Sequence, residues 1–247
     1  MLFSYLKGDF LKTKRLSIRT AHLFIPVVTA AVFIAYYTYS PWDSLAKVDA
    51  YYQVLGIGLP FLIGLFSSVL SEQEQSSGHF QAMLTAASKE VPFLSKLVLL
   101  LLFGAASLFA AAMLFGTAFQ FWLRDASTGF VFHLLAALVL LGSSVPLYLL
   151  HLFLSFRLDK GVSIGLGIVE SVLSALFLTG LGDLLWKYVP SIWPARMVST
   201  FLRAYCGNTN ALEEFRKAGI FALFVTAIGL AAYLLWARGW EGRRTVD

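Results

Sequence analysis

The sequence predicts an all-α, polytopic membrane protein with six transmembrane helices. Three observations carry this. Of 247 residues, 58% are hydrophobic and 13% charged, against about 25% charged in a soluble domain, and the mean hydropathy is +0.75. Six stretches, 21–39, 51–70, 97–122, 130–154, 162–182 and 218–237, are long and apolar enough to cross a bilayer, which takes about 20 residues. Lys and Arg are divided unevenly between the two sides of those spans.

The net charge of +5 belongs to basic ends retained at one membrane surface and gives no reason to expect nucleic acid. Cys206 is the only cysteine, which excludes an intrachain disulfide and any multi-cysteine metal cluster.

The elements follow in order. Residues 1–20 place Phe3, Leu6 and Phe10 at helical spacing among Lys7, Lys12, Lys14 and Arg15. This predicts an amphipathic basic helix in the inner interface, with a disordered tail that only enforces topology as the alternative. The run 21–39 follows a long polar leader without a small-residue cleavage site, so it is a retained span rather than a signal peptide. With both termini on one side, that side holds Lys7, Lys12, Lys14, Arg15, Arg19, Lys89, Lys96, Arg157, Lys160, Arg238, Arg243 and Arg244. The short loops opposite hold Lys47 and Arg124, and a longer outer loop, 183–217, holds Lys187, Arg196, Arg203, Arg216 and Lys217. Basic residues are retained in the cytoplasm, so both termini are predicted inside. The chain reads as one membrane domain, 1–247. Pro26, Pro60 and Pro146 bend their spans, and Gly219, Ala222, Thr226 and Gly229 form a small-residue face on the last. Gly161 and Gly165 do the same on the fifth.

Segment 71–92, "SEQEQSSGHFQAMLTAASKEVP", interrupts the oily sequence on the inner side. Ser77 or Gly78 can cap a short helix, 78–88, with Phe80, Met83, Leu84 and Ala87 on one face, ended by Pro92. Its polar face carries Gln81, Thr85 and Ser88, with Glu72 and Glu74 just upstream. An interfacial helix on anionic lipid would present Lys and Arg, so docking of a soluble partner is the sharper expectation. The loop with Arg157, Asp159 and Lys160 supplies a second, smaller contact.

Glu170 is the one charged residue deep in a span, where it costs roughly 2.5–3.5 kcal/mol to insert. Ser163, Gly167, Ser171 and Ser174 share its face. The stripe either lines a substrate path or packs against a partner subunit. His133 and His151, without an acidic neighbour in sequence, read as packing residues, and no metal site is expected. Trp186, Tyr188 and Trp193, with Pro190 and Pro194, follow the fifth span. They form an interfacial belt or a short outer element closing the path against an amphipathic peptide or lipid. No phosphate loop, no H-E-x-x-H, no Ser/His pair in adjacent spans and no acid cluster is visible, so no enzymatic activity is expected.

"EQEQSSGHFQAMLTAASKEVPFLSKL", "SIGLGIVESVLSALFLTGLGDLLWKYVPSIWPAR" and "LKGDFLKTKRLSIR" resemble lantibiotic-immunity permeases of the MutG type across essentially the whole chain. Glu170 departs from the family pattern. The resemblance implies an ABC-2-type exporter permease in a bacterial cell membrane, with segment 71–92 as its cytoplasmic coupling element. It implies a sister six-span permease and two copies of a cytoplasmic ABC ATPase that carry ATP and Mg, with no cofactor in this chain. The implied cargo is an antimicrobial peptide, expelled to give self-immunity. Coupling is then expected of Glu72, Glu74, Phe80, Gln81, Met83, Leu84 and Arg157. An ABC-2 permease for a drug, a lipid or another peptide, and a non-transporting membrane receptor, are the alternatives.

Overall fold

A computed structural model describes residues 1–125 and 127–243; Arg244 and the Arg15 side chain, both in the charge pattern above, lie outside the described part. The described residues form helices and 3-10 turns only, in the order α1 (Leu2–Lys12), α2 (Ile18–Tyr37), α3 (Ser44–Ser76), α4 (Gln81–Leu84), α5 (Glu90–Phe121), α6 (Phe130–Arg157), α7 (Lys160–Leu176), α8 (Trp193–Tyr205) and α9 (Thr209–Arg238). Helices α2, α3, α5, α6 and α9 are long and apolar enough to cross a membrane. The molecule is an all-α, multi-pass membrane protein.

Side-chain caps set several starts. Asp43 accepts from Ala46 N–H at the head of α3, Asp159 from Gly161 N–H at α7 and Asn208 from Ala211 N–H at α9; each satisfies a helix-end donor that would otherwise lack a partner. Helix α3 is the most enclosed of the long helices and α9 the least. α3 packs along α7, α6 and α8, while α5 packs on α6, α2 and α1. The core along these contacts is aromatic, with Tyr51 stacked on Phe115 at 3.8 Å.

Two expected elements come out shorter. The fifth span, expected over 162–182, ends at Leu176 as a 17-residue helix, about 25 Å long at 1.5 Å per residue. The chain then folds back. Gly182 packs so tightly on this turn that a Cβ there would lie 1.9 Å from the Phe177 carbonyl oxygen. Arg196 locks the reversal by donating to the carbonyls of Phe177 and Thr179, both at 2.8 Å, and to Asp183 at 2.9 Å. The helix expected over 78–88 is a single turn, Gln81–Leu84. Helix α3 runs on to Ser76, and Gly78, His79 and Phe80 all take positive φ. Such backbone is strained for the two non-glycine residues, at about 1–3 kcal/mol each.

Candidate functional site

Segment 71–90 is where chemistry concentrates. Glu74 is brought to the end of the bundle by the helical extension of α3 beyond its apolar part. It accepts from Lys96 of α5 at 2.7 Å and from Lys12 of α1 at 2.6 Å. Lys96 also donates to Asp9 of α1 at 2.7 Å, and Ser95 donates to the other Asp9 oxygen at 2.6 Å. Two carboxylates and two ammonium groups therefore close a neutral cluster. The side chains of Asp9, Glu74 and Lys96 are each no more than 6% exposed, so an unpaired charge here would carry a desolvation cost of several kcal/mol. Burial pushes the Glu74 carboxyl up, but Lys96 and then Lys12 outweigh it and leave it below the usual range.

The other end of the chain grips the same segment. Arg243 donates to Glu72 at 3.0 Å, to Ser155 O at 2.8 Å, and to Ser71 and Gln75. Lys160 reaches Glu72 at 3.3 Å. Trp240 stands edge-on to Phe80 at 5.3 Å and to Phe93 at 5.1 Å, and Lys89 donates to the Trp240 carbonyl at 2.8 Å. Phe80 and Met83, expected on a docking face, are buried within this chain. That is a correction, and for Phe80 the cause is simple: Trp240, in the tail after α9, packs against it. What faces outward is Gln81, Ala82 and Thr85, with Leu84 half-buried. Arg157 is half-buried at the end of α6.

The expected Glu170 stripe faces α3. A proline in that helix breaks its hydrogen-bond ladder, and Phe61 N–H, just after Pro60, donates to Ser171 Oγ at 3.2 Å. Gly167 lies on the same spot, where a Cβ would stand 2.8 Å from Pro60 O. Ser174 donates to the carbonyls of Glu170 and Ser191. Glu170 reaches His151 Nε2 at 2.8 Å, and His151 Nδ1 lies 3.0 Å from Ser163 Oγ. The acidic partner that sequence spacing withheld from His151 is thus Glu170, on the next helix. A Ser/His pair in adjacent spans, expected to be missing, is present too. Ser163 is nevertheless fully buried and donates to Gly64 O at 3.2 Å. Its oxygen then accepts from His151 Nδ1–H, with His151 Nε2 held against Glu170. The triad is a sealed structural bridge between α3, α6 and α7.

At the other end of the bundle, Trp186 and Trp193 are buried beside Ile192, Met197 and Ala218. Trp193 Nε1–H donates to Lys187 O at 3.0 Å. Only Tyr188 of the three expected aromatics is exposed, at 67%.

A family model described as ABC-2 family transporter protein matches residues 5–176, from within α1 to the last residue of α7. The chain belongs to this family. No curated protein and no solved structure matches it. As a membrane subunit of the ABC-2 family, whose members typically lack a catalytic ATPase domain, it pairs with a cytoplasmic ABC ATPase subunit. Among the described residues no group of three or more His, Cys, Asp or Glu could hold a metal ion.

The sequence reading of this ABC-2 subunit missed Asp9, Lys96, Trp240 and the grip of Arg243. One signal was there: Asp9 is the only acidic residue before Asp43, in an otherwise basic leader.

Proposed function

We propose that this subunit expels a lantibiotic or similar antimicrobial peptide from a bacterial membrane, so protecting the cell that makes or meets it. In this reading the chain crosses the membrane six times, with α7 as the short fifth span, α1 in the inner interface and both termini in the cytoplasm. It pairs with a sister six-span permease, and two copies of the ATPase, holding ATP and Mg, dock beneath. Support for the cargo comes from the resemblance of residues 72–97 and 163–196 to immunity permeases; family membership supports the transporter itself.

One observation carries the coupling role. Segment 71–90 is strained at His79 and Phe80, tied to both chain ends by ion pairs, and presents Gln81, Ala82 and Thr85 outward. A partner pushing on that turn moves α3 and α5 through Glu74–Lys96 without deforming the turn itself. Nucleotide supplies work by favouring one conformation of the ATPase dimer over the other.

The test joins two measurements. Gln81→Cys in a Cys206→Ser chain, co-expressed with its ATPase and sister subunit, should crosslink to the ATPase, and the wild-type complex should raise survival of a peptide-sensitive host. Failure to crosslink removes the docking assignment. Crosslinking without protection against lantibiotics moves the cargo to a drug, a lipid or another peptide.

A further inference from the structure

A narrow slot lies inside the bundle between α2, α3, α5 and α6. Helix α2 leans on α5 and barely touches α3, so the slot persists between the first two long helices. It encloses about 50 Å³, within about 490 Å³ of empty space counted out to its mouth. By the measure in which one water needs about 10–15 Å³, the closed part has room for a slender group and not for a ring system. Along α3 it extends from Leu55 to Phe66, roughly 16 Å at 1.5 Å per residue. Its long axis therefore follows the helices.

The walls are apolar, with Leu55, Leu59 and Leu108 among them. The exception is one built feature. Tyr148 is 4% exposed, and its hydroxyl stands against Gly104, where a Cβ would lie only 2.2 Å away. Both residues line the slot. Among the described residues no acceptor receives the Tyr148 hydroxyl, and Ser107, one turn further along α5, is likewise without a partner. The Tyr148 oxygen is not sealed away from the slot, so a ligand that brings an acceptor can take up its hydroxyl proton in a hydrogen bond. His22 closes the end nearer α1, its ring 4.1 Å from Phe66 and 5.3 Å from Phe103. Away from the slot, α2 exposes Leu23, Phe24 and Val28, the surface that bilayer lipid covers in a membrane-spanning helix.

We infer that the slot binds one acyl chain of a bilayer lipid, its ester carbonyl accepting from the Tyr148 hydroxyl and its hydrocarbon running along Leu59, Leu108 and Leu55. A straight chain matches the slot's length and direction. Water matches poorly, because it needs two to four polar partners at one point and the walls give mostly carbon. The proposal stands apart from the cargo assignment, since it concerns lipid resident in the subunit.

The experiment uses the full transporter complex in vesicles containing a phosphatidylglycerol with a photoactivatable diazirine in one acyl chain. After irradiation, labelled peptides are mapped by mass spectrometry. Label is expected on slot residues 55–66 of α3 and 104–111 of α5, as well as on exposed Leu23 and Phe24. Ser107→Leu fills the slot and should remove the slot label while leaving the α2 label unchanged, which also reports that the variant has folded. Tyr148→Phe keeps the shape and loses the donor; slot labelling should fall about five-fold at limiting probe. Slot labelling equal in wild type and Ser107→Leu, or label confined to the lipid-facing residues, overturns the inference.

Discussion

Lys96 and Glu74 meet at 2.7 Å with both side chains 3% exposed, joining the start of α5 to the end of α3 across the loop that an ATPase is proposed to push. Because Lys96 also holds Asp9, one ammonium group fastens three helices. Such a joint transmits force without giving, since a buried charge cannot leave its partner cheaply.

Removing that ammonium leaves two buried carboxylates to share Lys12 alone. Lys96→Met should lower stability by about 3–5 kcal/mol, read as a shift in the thermal unfolding of the detergent-solubilised complex. The double change Lys96→Met with Asp9→Asn should recover most of the loss, because Lys12 and Glu74 then remain as a neutral pair.

The same cluster has a pH signature. Glu74 is held below the usual carboxylate range, so its folded form binds a proton less readily than its unfolded form. Its contribution is complete above the unfolded value and is lost as pH falls through the lowered folded one. Acid titration of unfolding should therefore be shallower in Glu74→Gln than in wild type below about pH 5.

Arg243 grips Glu72, Ser71 and the Ser155 carbonyl. Arg243→Ala should free the tail and loosen the strained turn, weakening local protection by about 1.5–3 kcal/mol. Hydrogen exchange at residues 79–84 is the readout. Exchange confined to wild-type rates would show that the aromatic contacts of Trp240 suffice.

Glu170 Oε2 lies 2.8 Å from His151 Nε2 in the seam between α6 and α7. Glu170→Gln still offers His151 an N–H donor and should change stability by less than about 1 kcal/mol, whereas Glu170→Leu leaves His151 Nε2 without a partner at about 1–3 kcal/mol. If the stripe also serves the export path, the Gln variant loses protection of a sensitive host while its melting temperature holds.

Trp193 and Tyr188 separate structure from contact at the other end. Trp193→Ala should cost about 3–5 kcal/mol, since the ring is buried. Tyr188→Ala, on an exposed side chain, should stay within about 0.5 kcal/mol. Lost protection in the Tyr188 variant alone would assign the outer element a role in release.

Several features were legible locally. The long apolar runs became helices close to where they were expected, because hydropathy and length act within one segment. The polar interruption at 71–90 was equally plain, as was the seam face of α7, since Ser163, Gly167, Glu170 and Ser174 recur at helical spacing. The two shortened helices were not. Gly182 and Arg196 end the turn after α7 through a contact 19 residues distant in sequence, and the 78–88 helix gives way to a reversal held from outside by Trp240.

The sequence by itself determined the solvent, the helical class and the polar loop, because each depends on composition and on spacing within one stretch of chain. Only the tertiary structure decided which charges neutralise one another. Asp9 finds Lys96 at a separation of 87 residues, and Arg243 finds Glu72 at 171. Such pairs are chosen by how helices pack, and no periodicity along the chain encodes them.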